Sequence, residues 1–295
     1  MDETITPRVL VATPTSGYKE YCEEEFIHQI TSLDYPSYDI FIVDNTLEDL
    51  DAETTPRIDR LRSLFDEQDF KGTAVVAKDV WCFDPTRRVA TSYNKIRDFF
   101  LRGPWTHLLI IESDIFPDDK SFLKRWIRED KPVITAPYTL GMIIQSPKEE
   151  EKNIPKAAMW YKRPIIFGQL EFYRWVALDD ILPGIRELDF TIGGFGTGLV
   201  LLHREVLQQI IFRNEQKGTP DKCLKSDLDD YGIKSYLDGS LKIRHEQQVW
   251  DKLLQKDYAT IKELKYCGDH LKRSPIMTTK DMHEFMQQYS RMVKK

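Results

Sequence analysis

The first half of the chain alternates short apolar runs with longer segments in which apolar residues recur at helical spacing. Apolar runs that predict strands lie at 8–15, 38–46, 73–77, 107–111 and 132–138. Segments that predict helices lie between them, at 18–33, 59–65, 87–101 and from Ser121 onwards. This alternation is typical of an α/β fold, in which helical crossovers leave neighbouring strands parallel. We therefore predict a mostly parallel central sheet flanked by helices.

The pattern changes after residue 138. A charged run at 148–152 indicates a solvated loop. Aromatic side chains are dense around it: Trp160, Tyr161, Phe167, Phe172, Tyr173 and Trp175. They predict either a small β-rich core or a surface that offers aromatic rings to sugars. Further on, the apolar pattern predicts a strand at 199–202, a helix at 221–231 that Gly232 ends, and strand-like segments at 233–238 and 241–245.

A glycine-rich segment at 193–198 precedes the strand at 199–202. Four glycines in six residues indicate a backbone that turns tightly or that another group approaches closely. The segment fits neither the dinucleotide fingerprint, whose glycines link a strand to a helix, nor the P-loop, which requires Gly-Lys-Ser or Gly-Lys-Thr. A polar loop follows at 213–220, and we predict that it is a mobile lid.

Two carboxylates directly follow the strand predicted at 107–111, in Glu112-Ser113-Asp114. In an open α/β sheet, ligands bind at the carboxyl ends of the strands. Carboxylates placed this close together repel each other unless a cation lies near them. A hard divalent ion such as Mg²⁺ or Mn²⁺ binds one or two carboxylates and completes its shell with water and phosphate oxygens. The alternative is structural, since acidic residues after strands also occupy turns and helix N-caps.

Other polar residues are expected at the same edge of the sheet. The first two strands end in Thr13-Pro14-Thr15 and Asp44-Asn45, and the helix between them makes the strands parallel neighbours. Arg87 and Arg88 begin a helix, where paired arginines either bind a diphosphate or form a solvated face. His245 ends a strand, where it is either a metal ligand or a structural histidine.

The composition of the chain excludes some classes of protein. With 41% hydrophobic and 31% charged residues and a net charge of −6, the chain is not suited to non-specific nucleic-acid binding. Its cysteines, Cys22, Cys82, Cys223 and Cys267, have no zinc-site spacing, so we expect reduced thiols in a cytoplasmic protein. We expect no signal peptide and no transmembrane segment. An amphipathic helix predicted at 280–295 either packs on the domain or makes peripheral contact with a membrane.

The motifs, in this order over residues 8–246, resemble GT-A glycosyltransferases, nearest to the family 2-like members. Thr13-Pro14-Thr15 looks like the strand end that cups the nucleotide base, and Val43-Asp44-Asn45 looks like the acid that binds base or ribose. Ser92-Tyr93-Asn94-Lys95 is similar to the family's Arg-Asn helix, with Tyr93 where Arg is usual. Glu112-Ser113-Asp114 matches the metal-binding Asp-x-Asp motif, with Glu as its first acid.

The second half of the chain carries further motifs that resemble those of the same family. Gly194-Phe195-Gly196-Thr197-Gly198-Leu199 and His203-Arg204-Glu205-Val206 resemble the family's Gly-Thr-Gly strand and Arg-Glu-Val helix near the acceptor. The stretch at 219–245 is similar to the one that carries the catalytic Asp and ends in the metal-ligand His. The usual Glu-Asp pair is Pro220-Asp221 here, which makes Asp221 the candidate base, with Asp227 and Asp230 as rivals.

The resemblance implies one continuous GT-A type domain, with a Rossmann-like central sheet and a smaller β-rich elaboration on the acceptor side. A nucleotide-sugar-binding half would span 1–138, an acceptor-side and catalytic half 139–246, and a C-terminal helical extension 247–295. The implied activity is metal-dependent transfer of a sugar from a UDP- or GDP-linked donor to a hydroxyl of a glycan or another acceptor. Mn²⁺ or Mg²⁺ would be the cofactor. An Asp base on the far face of the sugar fits an inverting reaction, and a retaining reaction is the alternative, because the outcome depends on where that carboxylate lies.

The residues expected at this site fall into three groups. Asp221 is the expected base. The expected donor-binding residues are Thr13, Pro14, Thr15, Asp44, Asn45, Arg87, Arg88, Asn94, Glu112 and Ser113. The expected metal ligands are Asp114, His245 and Glu112. Glu at position 112 and the loss of the usual Glu before Asp221 support a second hypothesis, a catalytically silent subunit that binds a nucleotide sugar or a glycan. A nucleotidyltransferase is a third, less favoured because no glycine-rich basic loop follows the first strand.

Overall fold

The computed structural model describes residues 6–46, 55–79, 85–139, 143–144, 156–161, 165–167, 170–172, 175–214, 219–246 and 276–277. The helix predicted at 280–295 and the middle of the lid predicted at 213–220 lie outside these residues. Among the described residues, no helix combines the length and the apolar character needed to cross a membrane.

Strands and helices alternate from β1 to β6, as the apolar pattern predicts, except that β5 directly follows β4. The strands are β1 (Val9–Thr15), β2 (Tyr38–Asp44), β3 (Ala74–Lys78), β4 (His107–Ile111), β5 (Ile115–Pro117), β6 (Val133–Thr135), β7 (Ile143–Ile144), β8 (Lys156–Tyr161), β9 (Ile165–Phe167), β10 (Leu170–Phe172), β11 (Trp175–Ala177), β12 (Ile185–Glu187), β13 (Ile192–Phe195), β14 (Leu199–His203), β15 (Tyr236–Asp238), β16 (Ile243–His245) and β17 (Ile276–Met277). The helices are α1 (Glu23–Thr31), α2 (Pro56–Asp66), α3 (Pro85–Arg102), α4 (Phe122–Glu129), α5 (Arg204–Gln209) and α6 (Pro220–Asp230), with 3₁₀ helices at Gly17–Cys22 and Leu178–Asp180.

The central sheet has eight strands in the order β12-β15-β6-β14-β4-β1-β2-β3. β1 pairs in parallel with β2 and β4, β2 with β3, and β6 with β15. β14 lies antiparallel between β4 and β6, and β12 is antiparallel to β15. The predicted α/β class with a mostly parallel sheet is therefore confirmed. The carboxyl ends of β1, β2 and β4 lie side by side, and we call this edge of the sheet the carboxyl edge.

Successive residues of the central strands face two different helical layers. One face of the sheet, which includes Val9, packs against α1, α2 and α4, with Trp126 fully buried in this layer. The other face, which includes Leu10, packs against α3, α5 and α6, with Tyr93 fully buried. All residues of β4 are buried, as expected for a strand that is covered on both faces. Helices on both faces thus hold the carboxyl edge rigidly.

Local signals in the sequence determine where two of the helices begin and end. Thr55 caps α2, because its hydroxyl accepts a hydrogen bond from the Ile58 N–H at 3.2 Å, and Pro56 follows as the first helical residue. Pro220 begins α6 in the same way. Gly232, with a φ of +66°, follows the end of α6 as predicted.

Several elements differ from the predictions, and three of these differences lie near the carboxyl edge or in the helices that flank it. The helix predicted at 18–33 begins as the 3₁₀ helix Gly17–Cys22 and becomes α1 only at Glu23. The helix predicted at 59–65 is longer, because the Thr55 cap and Pro56 start it earlier. The strand β5 was not predicted. It is three residues long and forms by pairing with β16, which is far away in the sequence.

A smaller β-rich elaboration accompanies the central sheet, as predicted. β8 lies between β11 and β13 in a three-stranded sheet, and β9 pairs with β10. Trp160 is buried, with its ring edge-on against Trp175 at a centroid distance of 5.4 Å. A Cβ atom at Gly194 would lie 2.1 Å from the Trp160 ring, so this glycine permits the close approach of the ring. The predicted β-rich structure is therefore present, but the buried residues Ala157, Met159 and Phe195 of these strands belong to the core on one face of the central sheet. A separate core of the predicted aromatic side chains stays a prediction.

Candidate active site

Short polar contacts join the ends of β1, β2 and β4 at the carboxyl edge. Thr15 Oγ1 lies 3.1 Å from Ser113 Oγ, and Thr13 Oγ1 donates to the Ile111 carbonyl at 2.8 Å. The Asn45 N–H donates to the Thr15 carbonyl at 2.9 Å. The structure thus brings together five of the predicted donor-binding residues: Thr13, Pro14, Thr15, Asn45 and Ser113.

Asp44, at the end of β2, is bound by a buried arginine that the sequence analysis missed. Arg57 Nε donates to Asp44 Oδ1 at 3.0 Å and Nη2 donates to Thr15 Oγ1 at 3.4 Å. The same guanidinium pairs with the buried carboxylate of Glu23. Because Arg57 is only 7% exposed, its charge must be compensated by these acids. Arg57 lies in the first turn of α2, where the helix dipole disfavours a cation. This unfavourable position was the signal in the sequence that Arg57 has a buried acidic partner.

The second turn of α3 is tied to the carboxyl edge through Asn45. Asn45 Nδ2 donates to Ser92 Oγ at 3.1 Å, and Ser92 Oγ donates to Asp79 Oδ2 at 2.7 Å. Arg87 and Arg88 lie nearer the start of α3, the first exposed and the second partly exposed. Their predicted contact with a diphosphate stays a prediction.

In its described contacts, the Asn94 side chain binds the backbone of Phe212 and not the residues at the carboxyl edge. Its Nδ2 donates to the Phe212 carbonyl at 2.5 Å, and its Oδ1 accepts the Phe212 N–H at 2.9 Å. Both ends of the amide therefore bind the backbone that leads toward α6. The described contacts of this side chain hold α3 against that segment and do not join it to the residues at the ends of β1 and β2.

Asp114 lies fully buried directly after β4. Its Oδ2 is 3.3 Å from His245 Nε2 and also contacts Lys19 Nζ. Its Oδ1 is buried and has no hydrogen-bond partner among the described residues. A buried carboxylate oxygen that lacks a partner is costly. This oxygen is therefore available to a ligand.

The pairing of β5 with β16 brings His245 to Asp114. The two strands are antiparallel, and His245 lies opposite Ile115, the residue after Asp114. His245 Nδ1 is 2.6 Å from the Thr139 carbonyl oxygen, which can only accept, so Nδ1 carries the hydrogen. Nε2 of the neutral ring then directs a lone pair toward Asp114, as in a metal-binding histidine. Burial lowers the pKa of His245 and so favours this neutral form.

Lys19 is a second residue of this site that the sequence analysis missed. It lies in the 3₁₀ helix after β1, and its ammonium forms an ion pair with Asp114. Burial lowers the pKa of Lys19, while the nearby Glu112 opposes this shift. A divalent ion that binds Asp114 would compete with the ammonium for the carboxylate. A lysine just after the first strand of the predicted site was the available signal.

Two of the three predicted metal ligands meet in the structure. Asp114 and His245 are in contact, whereas Glu112 Oε1 accepts a hydrogen bond from Tyr93 Oη at 2.9 Å. In the part of the chain that is described, these three side chains do not bring their ligand atoms within 4.8 Å of one another. Mg²⁺ is commonly held by one or two protein ligands together with water and phosphate oxygens. The Asp114–His245 pair, with its unpartnered oxygen, therefore fits such an ion without Glu112.

Glu112 is the first member of a chain of hydrogen bonds that ends at Asp221. Tyr93 Oη donates to Glu112 Oε1 and also lies 2.9 Å from Thr197 Oγ1. Thr197 Oγ1 donates to Asp221 Oδ1 at 2.5 Å. The hydroxyl groups of Tyr93 and Thr197 therefore connect the two carboxyl groups.

The pKa of Asp221 is shifted toward neutrality. Burial, as the largest cause, and the nearby Glu112 carboxylate raise the pKa of Asp221 to about 6, while the hydrogen bond from Thr197 opposes the shift. A carboxyl group with a pKa this close to neutrality is suited to accept a proton from a substrate. Burial also raises the pKa of Tyr93, so its hydroxyl stays neutral within the chain.

The rival acids on α6 have other surroundings. Arg213 donates from Nε and Nη2 to the two carboxylate oxygens of Asp227, at 3.0 and 2.5 Å. This bidentate pair holds the Asp227 side chain. Asp230 is exposed at the end of α6. Of the three acids, Asp221 is the one that the described contacts join to Thr197 and so to Glu112.

Glycines on either side of Thr197 let Tyr138 approach this chain. A Cβ atom at Gly196 would lie 2.1 Å from the Tyr138 hydroxyl oxygen, and one at Gly198 would lie 2.8 Å from it. The Gly198 N–H donates to this hydroxyl at 3.1 Å. On its other side, the Tyr138 ring lies edge-on to His245 at a centroid distance of 5.3 Å. Tyr138 therefore packs between the Asp114–His245 pair and the chain that ends at Asp221.

Comparison with known proteins gave matches among solved structures alone, since no family model and no curated protein matches the sequence. The mannosyltransferase PcManGT from Pyrobaculum calidifontis, solved in complex with GDP-Man and Mn²⁺, is 14% identical, with 92% of this chain and 72% of that chain covered and a TM-score of 0.48. Residues 1–349 of S. aureus TarS are 12% identical, with 88% and 68% covered and a TM-score of 0.46. A197 from STIV is 14% identical, with 82% and 87% covered and a TM-score of 0.42.

Proposed function

We propose that the protein is a metal-dependent glycosyltransferase that moves a sugar from a UDP- or GDP-linked donor to a hydroxyl acceptor. One observation carries the proposal: a buried Asp–His pair with an unpartnered carboxylate oxygen lies at the same edge of the sheet as a carboxyl group whose pKa is about 6. The pair suits a divalent ion and the carboxyl group suits a general base. Sugar transfer from a nucleotide diphosphate uses both kinds of group.

The nucleotide of the donor is proposed to lie at the ends of β1 and β2. Asp44 and Asn45 end β2 there, and Arg57 holds the Asp44 carboxylate in place. A carboxylate fixed in this way is suited to accept hydrogen bonds from ribose hydroxyls. Arg87 and Arg88, near the start of the adjacent α3, are proposed to meet the diphosphate.

Asp114 and His245 are the residues that would hold Mn²⁺ or Mg²⁺. The unpartnered Asp114 Oδ1 and the lone pair on His245 Nε2 supply ligand atoms of a suitable kind. When bound, such an ion supplies positive charge that stabilises the leaving diphosphate. Because Lys19 pairs with the same carboxylate, this lysine would set how tightly the ion binds.

Asp221 is proposed to act as the base on the acceptor hydroxyl. In an inverting reaction, a carboxylate takes the acceptor's proton as the new glycosidic bond forms. Tyr93 and Thr197 connect Asp221 to Glu112 and hold the Asp221 carboxyl group in position. With a pKa of about 6, Asp221 would be available as a base near neutral pH.

A second candidate function is that of a catalytically silent subunit that binds a nucleotide sugar or a glycan. The Lys19–Asp114 ion pair favours it, because the ammonium already compensates the carboxylate that would bind the metal ion. The hydrogen bond from Tyr93 to Glu112 points in the same direction, since it engages the first acid of the predicted metal motif.

Binding measurements with the full chain test the donor site. UDP and GDP would each be added with Mn²⁺ and again with EDTA, and thermal unfolding would be followed. A nucleotide present at about 100 times its dissociation constant adds roughly 2.7 kcal/mol to the free energy of unfolding. We expect a rise in Tm with one nucleotide that disappears in EDTA. An unchanged Tm with both nucleotides would contradict both candidate functions that involve a nucleotide sugar.

Turnover then separates the enzyme from the silent subunit. Asp221→Asn should abolish release of the nucleotide from the donor sugar while it preserves the nucleotide-dependent rise in Tm. The matched control is Asp230→Asn, which changes an exposed acid on the same helix and should leave turnover unchanged. Wild-type turnover in Asp221→Asn would show that the base is another residue. Binding without turnover in the wild-type protein, over a panel of UDP- and GDP-sugars, would favour the silent subunit.

A further inference from the structure

A second cluster of metal-ligating side chains lies at the opposite edge of the central sheet. His107 begins β4 and His203 ends β14, and the antiparallel register places the two residues opposite each other. Asp130 directly follows α4. Each side chain offers one ligand atom, and these atoms lie within 4.8 Å of one another. The length of β4 separates this His107–Asp130–His203 cluster from Glu112, a distance of roughly 16 Å.

The backbone holds the three side chains of the cluster together. The two imidazole rings are edge-on, with centroids 4.2 Å apart. Asp130 has a left-handed backbone with a φ of +48°, and its Oδ1 lies 3.6 Å from His203 Nε2. Ligand atoms of a tetrahedral Zn²⁺ site are about 3.3 Å apart. Because the Asp130 side chain is 83% exposed, a small rotation of it closes the remaining distance.

Two buried nitrogen atoms in the cluster lack hydrogen bonds. Neither His107 Nε2 nor His203 Nε2 has a hydrogen-bond partner among the described residues. The His107 residue is 6% exposed, so water cannot easily compensate it. Buried polar atoms in folded proteins nearly always have a partner, and a bound ion is one of the explanations for an exception.

A neighbouring hydroxyl group contacts the other ring nitrogen of His107. Thr106 Oγ1 lies 3.2 Å from the Arg8 carbonyl oxygen, to which it can donate, and 2.9 Å from His107 Nδ1. When the hydroxyl donates to Arg8, it accepts a hydrogen bond from His107 Nδ1. With its hydrogen on Nδ1, the neutral His107 ring carries a lone pair on Nε2. A hydrogen bond to the second ring nitrogen of this kind is typical of metal-binding histidines.

The chemical character of the cluster also suits a cation. Its two imidazole rings each offer a ring nitrogen, and the Asp130 carboxylate offers an oxygen.

We propose that His107, Asp130 and His203 bind a transition-metal ion, best fitted by Zn²⁺, at a site separate from the active site. Two imidazole nitrogens and one carboxylate oxygen are ligands that suit Zn²⁺, whereas Mg²⁺ and Mn²⁺ prefer oxygen ligands. Three protein ligands leave one position of a tetrahedral ion for water. The ion would connect β4, β14 and the end of α4. This proposal does not depend on the proposed transferase function.

Zinc binding to the full chain tests the site. The starting protein would be Asp114→Ala, freed of metal with a chelator, so that the active-site pair does not contribute. We expect Zn²⁺ to bind and to raise Tm. Each test variant carries one further substitution. Asp130→Asn should weaken Zn²⁺ binding at least about tenfold, and asparagine is chosen because it tolerates a left-handed backbone. His203→Gln should have the same effect, whereas His28→Gln, at an exposed histidine on α1, should leave Zn²⁺ binding unchanged.

A variant outside the ligand set makes the test specific. Thr106→Val removes the hydroxyl that contacts His107 Nδ1 and should weaken Zn²⁺ binding by roughly 10–100-fold. With Co²⁺ as the probe, tetrahedral visible absorption bands should appear in Asp114→Ala and be lost when Asp130→Asn is added. The proposal is overturned if Asp114→Ala binds no Zn²⁺. It is also overturned if Asp130→Asn and His203→Gln bind Zn²⁺ as tightly as the His28→Gln control.

Discussion

Asp221 should set the pH dependence of the proposed reaction. A base must be ionised to accept a proton, and burial raises the pKa of Asp221 to about 6. We therefore expect kcat/KM to rise about tenfold per pH unit below this pKa and to level off above it. The measurement is donor turnover as a function of pH, with nucleotide binding over the same range as the control. An inflection near pH 4, where an ordinary Asp titrates, would show that the base is not the Asp221 carboxyl group.

The raised pKa of Asp221 also affects stability. Its folded-state pKa is about 6 against an ordinary value of 3.8, so between these pH values the folded state binds more protons than the unfolded state. The free energy of unfolding must fall as pH rises through this window. Asp221→Asn lacks the titrating group, so its stability relative to wild type should improve from pH 4 to pH 7. Urea unfolding at both pH values measures this, and a constant difference would contradict it.

Lys19 should weaken the binding of a divalent ion at Asp114. Its ammonium pairs with the carboxylate that the ion needs, so Lys19→Met should tighten Mn²⁺ binding, and a tenfold change corresponds to about 1.4 kcal/mol. Calorimetric titration with Mn²⁺ and nucleotide measures the affinity. Lys71→Met, at an exposed lysine, is the control for loss of one positive charge. Weaker Mn²⁺ binding in Lys19→Met than in the control would mean that the ammonium supports the site.

At the scale of elements, the glycine-rich segment should tolerate no side chain at Gly196. An added Cβ atom would lie 2.1 Å from the Tyr138 hydroxyl oxygen and 2.9 Å from Ala158 Cβ. Gly196→Ala should therefore lower the free energy of unfolding by about 1–3 kcal/mol, as overpacking does elsewhere. Tyr138→Phe removes the hydroxyl and should restore part of the loss in the double variant. Urea unfolding of the four proteins gives the coupling, and simple additivity would contradict the steric explanation.

The elements that the apolar pattern predicted well are those with their own local signal. β1, β2 and β4 are continuous apolar runs, and each ends in the polar residues that form the carboxyl edge. β5 has no such signal, since its three residues become a strand only against β16. The expectation that His245 joins Asp114 came from a resemblance, and its physical cause is this pairing. Arg57 and Lys19 were missed because their roles depend on acids that only the folded sheet brings near.

At the scale of the whole molecule, the order of strands decides which residues meet. Parallel β1, β2 and β4 place Thr15, Asp44 and Ser113 at one edge, and this followed from the alternation of strands and helices. The His107–Asp130–His203 cluster did not follow from the sequence. It depends on the antiparallel insertion of β14 beside β4, and no local spacing marks residues that far apart as partners. Long-range pairing of this kind is what a single sequence leaves open.

The two metal sites should act independently across the sheet. Their separation of roughly 16 Å along β4 exceeds the 7–10 Å within which mutational effects usually interact. Asp130→Asn should therefore leave the rise in Tm with Mn²⁺ and nucleotide unchanged, and Asp114→Ala should leave the rise with Zn²⁺ unchanged. In urea unfolding without metal, the effects of the two substitutions should add to within about 0.5 kcal/mol. A larger interaction would show that β4, buried on both faces, transmits metal binding from one edge to the other, and the proposed transferase would then be under the control of a second metal.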